Sequence, residues 1–175
     1  DVCSSDLEHV SQLMISAWDG NRAALEELRS IADGGNPEAQ FDMGQAYENG
    51  WSVSVDVTQA VEWYLKAAEQ GYWYAQFNLG VLYANGKGIP KNASLAALWY
   101  RKAAEQDRIE AQINLALMYE TGAGIPQDFA EAAKWFSKAA ASGNSLAQNR
   151  LGTMYASGHG VARDITRAMD LNLKA

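Results

Sequence analysis

The chain has 175 residues, of which 48% are apolar and 20% charged, a composition typical of globular proteins and too apolar for a disordered one. Its formal net charge of −7 argues against nucleic acid as a partner, because binding a phosphate backbone requires a positive patch. No apolar run is long enough to span a membrane, and a single cysteine excludes an internal disulfide framework or a thiolate zinc cluster.

The first seven residues, 1–7, do not resemble ordinary protein sequence. Their letters, DVCSSDL, are similar to the translation of a sequencing adapter, so we interpret this segment as a non-native sequencing or cloning scar. Native sequence is then expected to begin near Glu8, and Cys3 would carry no functional information. The alternative is a genuine N-terminal segment.

A repeat of 36 residues runs through most of the chain, because the dipeptide Ala-Gln recurs at 39–40, 75–76, 111–112 and 147–148. In the same register each dipeptide is followed by a tyrosine and then by a glycine. These coincidences predict four repeat units of one continuous domain. The last unit is expected to be truncated, with the natural protein continuing past its end. The predicted units are 36–71, 72–107, 108–143 and 144–175.

Each repeat unit is predicted to form two helices. In the first unit, Ala39, Met43 and Tyr47 recur at helical spacing, and Gly50 ends the first helix where a left-handed residue is needed. Asp56 then supplies the N-cap oxygen of the second helix, whose buried stripe combines alanine with tryptophan. One unit cannot bury its own stripe, so the units must stack as a solenoid.

The pattern of the unit resembles that of the Sel-one-like repeat (SLR) family, relatives of the tetratricopeptide repeats. The resemblance covers residues 36–175 and is most specific over 80–107, from GVLYANGKGIP to YRKAAEQD. Residues 21–35 resemble the second helix of a further, shortened unit, so 8–35 is interpreted as a degenerate leading helix pair. The resemblance implies an all-α fold, a right-handed superhelix of stacked antiparallel helix pairs, that acts as a scaffold without catalysis.

Two loop positions depart from the repeat pattern. Ser52 stands where the later units have a glycine, and Asp107 replaces the glycine found at 71 and 143. A left-handed conformation at Ser52 would cost about 1 kcal/mol. Asp107 is expected to tolerate the same conformation, because aspartate visits this region more readily than most residues.

No catalytic, cofactor-binding or metal-ligating residue is predicted. The string Gly-Lys-Gly at 86–88 falls in a loop that recurs in every unit, so we interpret it as part of the repeat rather than as a phosphate-binding loop. His9 and His159 have no further ligands at metal-binding spacing. The recurring loop aspartates are interpreted as helix caps.

The outward faces of the first helices are the leading candidate for a binding surface. These positions lie opposite the buried stripe, and the resemblance places them on the concave face of the solenoid. Asparagine and threonine there can hydrogen-bond a peptide backbone, while apolar neighbours hold its side chains. Asp42 is also expected to point outward. The predicted groove residues are Phe41, Gln45, Asn49, Phe77, Asn78, Val81, Asn85, Ile113, Asn114, Leu117, Thr121 and Arg150.

Packing is the alternative role for some of these residues. Phe41, Phe77 and Ile113 recur in register, as they would if they packed between adjacent first helices. Val81 and Leu117 stand where the other units have polar residues, which makes them the stronger candidates for ligand contact.

A second candidate surface is an aromatic edge that exceeds what the repeat requires. Exposed aromatic side chains are typical anchors of interfaces. For Tyr74 the alternative is that it covers a neighbouring turn. In contrast, the recurring tryptophans and tyrosines of the repeat are predicted to be core. The residues of the aromatic edge are Trp51, Tyr72, Trp73 and Tyr74.

The leading functional hypothesis, as the resemblance implies, is a non-catalytic adaptor of a bacterial complex or envelope process that binds a protein or peptide in its groove. One alternative is a recruiting or regulatory segment of a larger enzyme. A weaker alternative is binding of a glycan or peptidoglycan fragment, with Trp51, Tyr72 and Trp73 as sugar platforms. Charge is uneven, because residues 1–71 carry 3 basic and 13 acidic side chains, a net −10. Such an acidic half would attract a basic partner. The alternative, and the commoner explanation of an acidic surface, is that it is merely solvated.

Overall fold

The computed structural model describes residues 2–175, with the side chains of residues 8–175. These residues form ten α-helices and no β-strand, which confirms the predicted all-α fold class. Residues 1–7, which we interpret as a scar, have side chains outside the described part of the chain, so that interpretation stays a prediction. The helices are α1 (Val2–Trp18), α2 (Arg22–Asp33), α3 (Pro37–Asn49), α4 (Val57–Glu69), α5 (Trp73–Asn85), α6 (Ala93–Ala104), α7 (Ile109–Thr121), α8 (Phe129–Ala141), α9 (Ser145–Ser157) and α10 (Ile165–Lys174).

The helices form two compact units, Asp1–Lys91 and Asn92–Ala175, which we call the N-terminal unit and the C-terminal unit. In the N-terminal unit α2 packs on α1 and α3, while α4 packs on α3 and α5. In the C-terminal unit α7 packs on α6 and α8, while α9 packs on α8 and α10. Within each unit, helices therefore contact their neighbours in chain order, which is the arrangement of stacked helix pairs.

The recurring tryptophans are buried, as predicted. Trp63, Trp99 and Trp135 expose 6%, 7% and 7% of their surface, and each ring lies beneath a lysine ammonium of the following turn. Small alanines on the same stripe let the neighbouring helices approach closely, so the large rings fill the space between them.

The recurring tyrosines correct the prediction that they are core, because they are only half-buried. Tyr47 accepts a hydrogen bond from Arg29, and Tyr119 accepts one from Arg101. A tyrosine with one apolar side and one polar tip fits the boundary of a helix pair better than its centre. These arginine–tyrosine pairs repeat at the same spacing and so belong to the framework.

The helix ends follow the predicted cap chemistry. Gly50, Gly86, Gly122 and Gly158 end the first helices with φ between 70° and 79°, a left-handed conformation that glycine adopts without strain. At the start of α4 the Asp56 carboxylate accepts a hydrogen bond from a backbone N–H at 3.1 Å, and the equivalent residues cap the other second helices.

Ser52 and Asp107 both adopt the left-handed conformation, with φ of 56° and 60°. The Ser52 hydroxyl donates a 2.7 Å hydrogen bond to the carbonyl of Ala17 and thereby ties its loop to the end of α1. This bond offsets strain of about 1 kcal/mol at Ser52.

The glutamine of the recurring Ala-Gln dipeptide has a structural role that the sequence pattern did not reveal. In each repeat its side-chain amide donates to a carbonyl at the end of the preceding helix, at 3.0 to 3.3 Å. All four glutamines are buried, with 2% to 8% of their surface exposed. The amide therefore clips each first helix to the helix before it. The bonds join Gln40 to Ala32, Gln76 to Ala68, Gln112 to Ala104 and Gln148 to Ala140.

Candidate functional site

The predicted groove residues fall into three levels of exposure. Phe41 and Ile113 are buried, each with 8% of its surface exposed, a level that favours the packing alternative for these two side chains. Gln45, Phe77, Asn78, Val81, Asn114 and Leu117 are half-buried, and Asn49, Asn85, Thr121 and Arg150 are exposed.

Several polar groove residues are bonded within their own unit. Asn49 donates to the carbonyl of Gln45 at 2.9 Å, and Thr121 donates to the carbonyl of Leu117 at 2.8 Å. Arg150 forms an ion pair with a neighbouring glutamate at 3.7 Å. These bonds leave the acceptor oxygen of Asn49 for other partners. Both apolar candidates, Val81 and Leu117, retain exposed surface beside such polar groups.

The aromatic edge divides into two parts in the structure. Trp51 stacks on Trp18, with ring centroids 5.8 Å apart, and so closes the end of α1. Tyr72 and Tyr74 instead meet the groove residue Phe41, with centroid distances of 5.4 and 5.7 Å. Trp73 in turn stacks on Tyr74, with ring centroids 3.5 Å apart.

The structure thus gathers one group of residues that the sequence had assigned to two surfaces. We call it the aromatic–acid cluster and define it as Phe41, Asp42, Tyr64, Tyr72 and Tyr74. Phe41 is the hub, since its ring also lies 5.5 Å from that of Tyr64. The cluster reaches the surface at Tyr74, which is 46% exposed. All five residues belong to the N-terminal unit.

Asp42 corrects the prediction that it points outward, since only 5% of its surface is exposed. Burial, reinforced by the negative charge of Glu38, raises the pKa of Asp42 to about 7. The prediction failed because α3 packs against α1, α2 and α4, so more of its circumference is covered than a single apolar stripe suggests. Within residues 8–175 its carboxylate makes no side-chain hydrogen bond.

Beyond the effect of burial, the negative charge of Asp42 raises the pKa of two nearby tyrosine hydroxyls, those of Tyr64 and Tyr72. Burial raises the pKa of Tyr72, and the charges of Glu38 and Asp42 raise it further. Burial also raises the pKa of Tyr64, whose hydroxyl donates to Glu48 at 2.7 Å. Negative carboxylates therefore lie near both tyrosine hydroxyls, so the cluster combines aromatic rings with negative charge.

A repeat comparison could have singled out Asp42 from sequence. At the equivalent position Asn78 donates to the hydroxyl of Tyr64 at 3.4 Å, and Asn114 hydrogen-bonds Tyr100. The residue 36 positions before Tyr64 is Leu28, which has no hydroxyl. Asp42 therefore lacks the hydrogen-bond partner that its counterparts have.

A cavity of about 710 Å³ lies elsewhere in the N-terminal unit, between α2 and the loop that joins α3 to α4. Arg22, Arg29, Tyr47 and Asp56 contribute to its lining. One contact in its lining, from Arg29 to Tyr47, recurs in the C-terminal unit as the pair Arg101 and Tyr119. This contact therefore belongs to the repeat framework.

Within the described part of the chain, no three histidine, cysteine, aspartate or glutamate side chains come together as metal ligands would. None of its helices combines the length and apolar character that crossing a membrane requires.

Comparison with solved structures finds similar folds in bacterial proteins. A protective antigen of uropathogenic Escherichia coli strains, displaying an SLR fold, is 41% identical over 86% of this chain and 32% of its own, with a TM-score of 0.79. A Sel1 repeat protein from Oxalobacter formigenes is 40% identical over 85% of this chain and 61% of its own, also with a TM-score of 0.79. The chain therefore spans about a third and three-fifths of the lengths of these two relatives.

Cysteine rich protein B of Helicobacter pylori is more distant, at 25% identity over 72% of this chain and 90% of its own, with a TM-score of 0.52. A comparison with curated proteins finds no match. The family model for the Sel1 repeat matches residues 37–72, 73–107, 109–144 and 145–175. Because these matches cover α3 to α10 and well over half of the chain, the chain belongs to the Sel1 repeat family.

Proposed function

We propose that this chain is a non-catalytic scaffold that binds a protein or peptide through the outward faces of its first helices. Sel1 repeats mediate protein–protein interactions and their family is typically non-catalytic. The first helices carry the mixture of polar and apolar side chains that peptide recognition uses. The chain spans only part of the length of its relatives, so any role of the whole protein is likewise a proposal.

The observation that carries the proposal is the exposure of two apolar side chains. Val81 and Leu117 stand where the other units have Gln45 and Thr153, so the repeat does not require an apolar residue there. Both retain exposed surface. An apolar side chain that the framework neither requires nor fully buries is a candidate contact for a partner.

The test is affinity capture from a lysate of the source organism. The parent chain is compared with a double variant, Val81→Asp with Leu117→Asp, after both have shown matching helical melts. A control with the same added charge, Thr58→Asp with Leu98→Asp, changes exposed positions on second helices. We expect a protein that the parent and the control capture and the double variant does not. Equal capture by all three would contradict a site on the first helices.

A further inference from the structure

We propose that the aromatic–acid cluster binds the cationic side chain of a lysine or arginine in a basic peptide segment. This inference rests on the proposed scaffold function and deepens it by naming the chemistry of the partner. It is argued from a buried carboxylate without a partner, a helix start without a cap, and a group of aromatic rings that reaches the surface.

The carboxylate of Asp42 is the first argument. It is 5% exposed and has no side-chain hydrogen bond within residues 8–175, although the asparagines at its register position, Asn78 and Asn114, are bonded. Burying an unpaired carboxylate costs free energy. A neutral side chain would avoid the cost of burying this charge, so the aspartate is a departure of the kind expected at functional sites.

The start of α5 is the second argument. Asn36 and Asn144 occupy the equivalent position in other repeats and accept a capping hydrogen bond from a backbone N–H at 2.9 and 3.0 Å. Tyr72 at the start of α5 makes no such bond, and neither does Arg108 at the start of α7. Replacing a capping asparagine by a residue without a side-chain acceptor typically costs about 1 kcal/mol. The tyrosine ring is instead placed against Phe41 and Tyr74.

The arrangement of rings and charges selects a cation. The ring centroids of Tyr72 and Tyr74 lie 5.7 Å apart where the cluster reaches the surface, and a cation within about 6 Å of a ring centroid is attracted by it. Glu38 and Asp42 add negative charge at the Tyr72 hydroxyl. An anion would be repelled there, and an uncharged ligand would leave the Asp42 carboxylate unpaired.

Charge and shape favour a peptide side chain as the source of the cation. Residues 8–71, with 3 basic and 11 acidic side chains, carry a net −8 that attracts a basic segment. Lysine and arginine end in a cation on an apolar stem, and such a stem can lie along aromatic rings while its head meets the carboxylate.

The test is a titration of the isotope-labelled full chain by NMR. The probes are the blocked pentapeptides Gly-Ser-Lys-Ser-Gly and Gly-Ser-Arg-Ser-Gly. Their controls carry norleucine or citrulline, which keep the size of the side chain and remove its charge. We expect saturable shifts of the amides near Tyr72 and Tyr74 with the charged peptides only. Equal shifts with the uncharged peptides, or none with any peptide, would overturn the inference.

Two variants connect these shifts to the cluster. Asp42→Asn matches the residue at the same position of the next two repeats, and Tyr72→Asn restores a capping side chain, so each is designed to remain folded. We expect each to raise the Kd for the lysine peptide about tenfold, equivalent to about 1.4 kcal/mol. Matching helical melts are the control, and an unchanged Kd in folded Asp42→Asn would also overturn the inference.

The titration and the lysate capture fail independently. Lysine binding at the cluster together with equal capture by the groove variants would retain this site and reject the first-helix surface. Capture that depends on Val81 and Leu117, without any response to the charged peptides, would retain the scaffold and reject the cationic ligand.

Discussion

At the scale of single residues, Asp42 is a buried carboxylate at a position where the next two repeats have asparagine. Leu28 holds the position in α2 at which the next two helix pairs have Tyr64 and Tyr100. The tyrosine hydroxyl oxygen that accepts a hydrogen bond from Asn78 or Asn114 therefore has no counterpart beside Asp42. The charged form of Asp42 is destabilised in the folded state because the carboxylate is buried and lies near the negative charge of Glu38.

Asp42→Asn is predicted to stabilise the fold, and to do so more at high pH. The pKa of Asp42 is raised from 3.8 to about 7 on folding, so the folded state holds its proton to higher pH than the unfolded state does. The parent's stability contribution is fully present below pH 3.8 and is lost as pH rises through about 7. With about 1.4 kcal/mol per pKa unit, the gain in the variant approaches about 4 kcal/mol at most by pH 8.

Urea unfolding at pH 5 and pH 8 measures this difference. The free energy of unfolding of Asp42→Asn should exceed that of the parent by a wider margin at pH 8. Asp33→Asn, which alters an exposed carboxyl in α2, controls for the loss of a charge as such. A margin that is the same at both pH values would show that burial of Asp42 does not govern its titration.

At the scale of helices, the repeat works because each first helix is tied to the preceding helix by both packing and a hydrogen bond. Alanine positions allow close approach, and the buried glutamine amide then satisfies a carbonyl at the end of the neighbouring helix. Apolar periodicity predicts the packing. It does not predict the hydrogen bond, because the spacing of apolar residues gives no information about which carbonyl a buried glutamine amide meets.

Gln76→Met tests this clip while keeping a side chain of similar length. The variant loses the 3.0 Å hydrogen bond from Gln76 to the carbonyl of Ala68, which joins α5 to the end of α4. Its free energy of unfolding should fall by about 1 kcal/mol. Gln127→Met is the matched control, because its bond to the carbonyl of Glu120 lies at the surface. Equal losses in thermal or urea melts of the two variants would contradict a special role for the buried amide.

At the scale of the whole molecule, stability is expected to come from contacts between neighbouring helices, because a repeat protein has no single central core. The buried tryptophans supply much of that contact, whereas the half-buried residues of the first helices supply less. Core and candidate binding surface are therefore made of different side chains. That separation allows the binding face to vary while the stack is preserved.

Trp99→Ala and Leu117→Ser contrast these two classes. Trp99 is 7% exposed, so its truncation should lower the free energy of unfolding by about 3–5 kcal/mol. Leu117 is half-buried, and Leu117→Ser should cost about 1 kcal/mol or less. Circular dichroism melts of both variants provide the comparison. A similar loss in both would mean that Leu117 is a framework residue and would remove it from the candidate surface.

The sequence by itself determined the helices, their ends and the class of fold. Those features depend on local rules: apolar spacing marks a helix face, a glycine ends it, and an aspartate or asparagine such as Asp56 or Asn92 begins the next. A repeat shows each rule several times, which makes the signal unambiguous. The left-handed Asp107 followed from register in the same way, whereas the pattern left the conformation of Ser52 open.

Only the tertiary structure decided which candidate residues meet. Helical periodicity describes one helix at a time, and it therefore predicted that Asp42 points outward. In the fold, α3 contacts three other helices, and Asp42 is buried. Phe41 and Tyr72 were assigned to separate surfaces because they lie on different segments of the chain, yet their rings are 5.4 Å apart. Contacts between helices depend on where each helix lies against its neighbours, and no local pattern encodes that position.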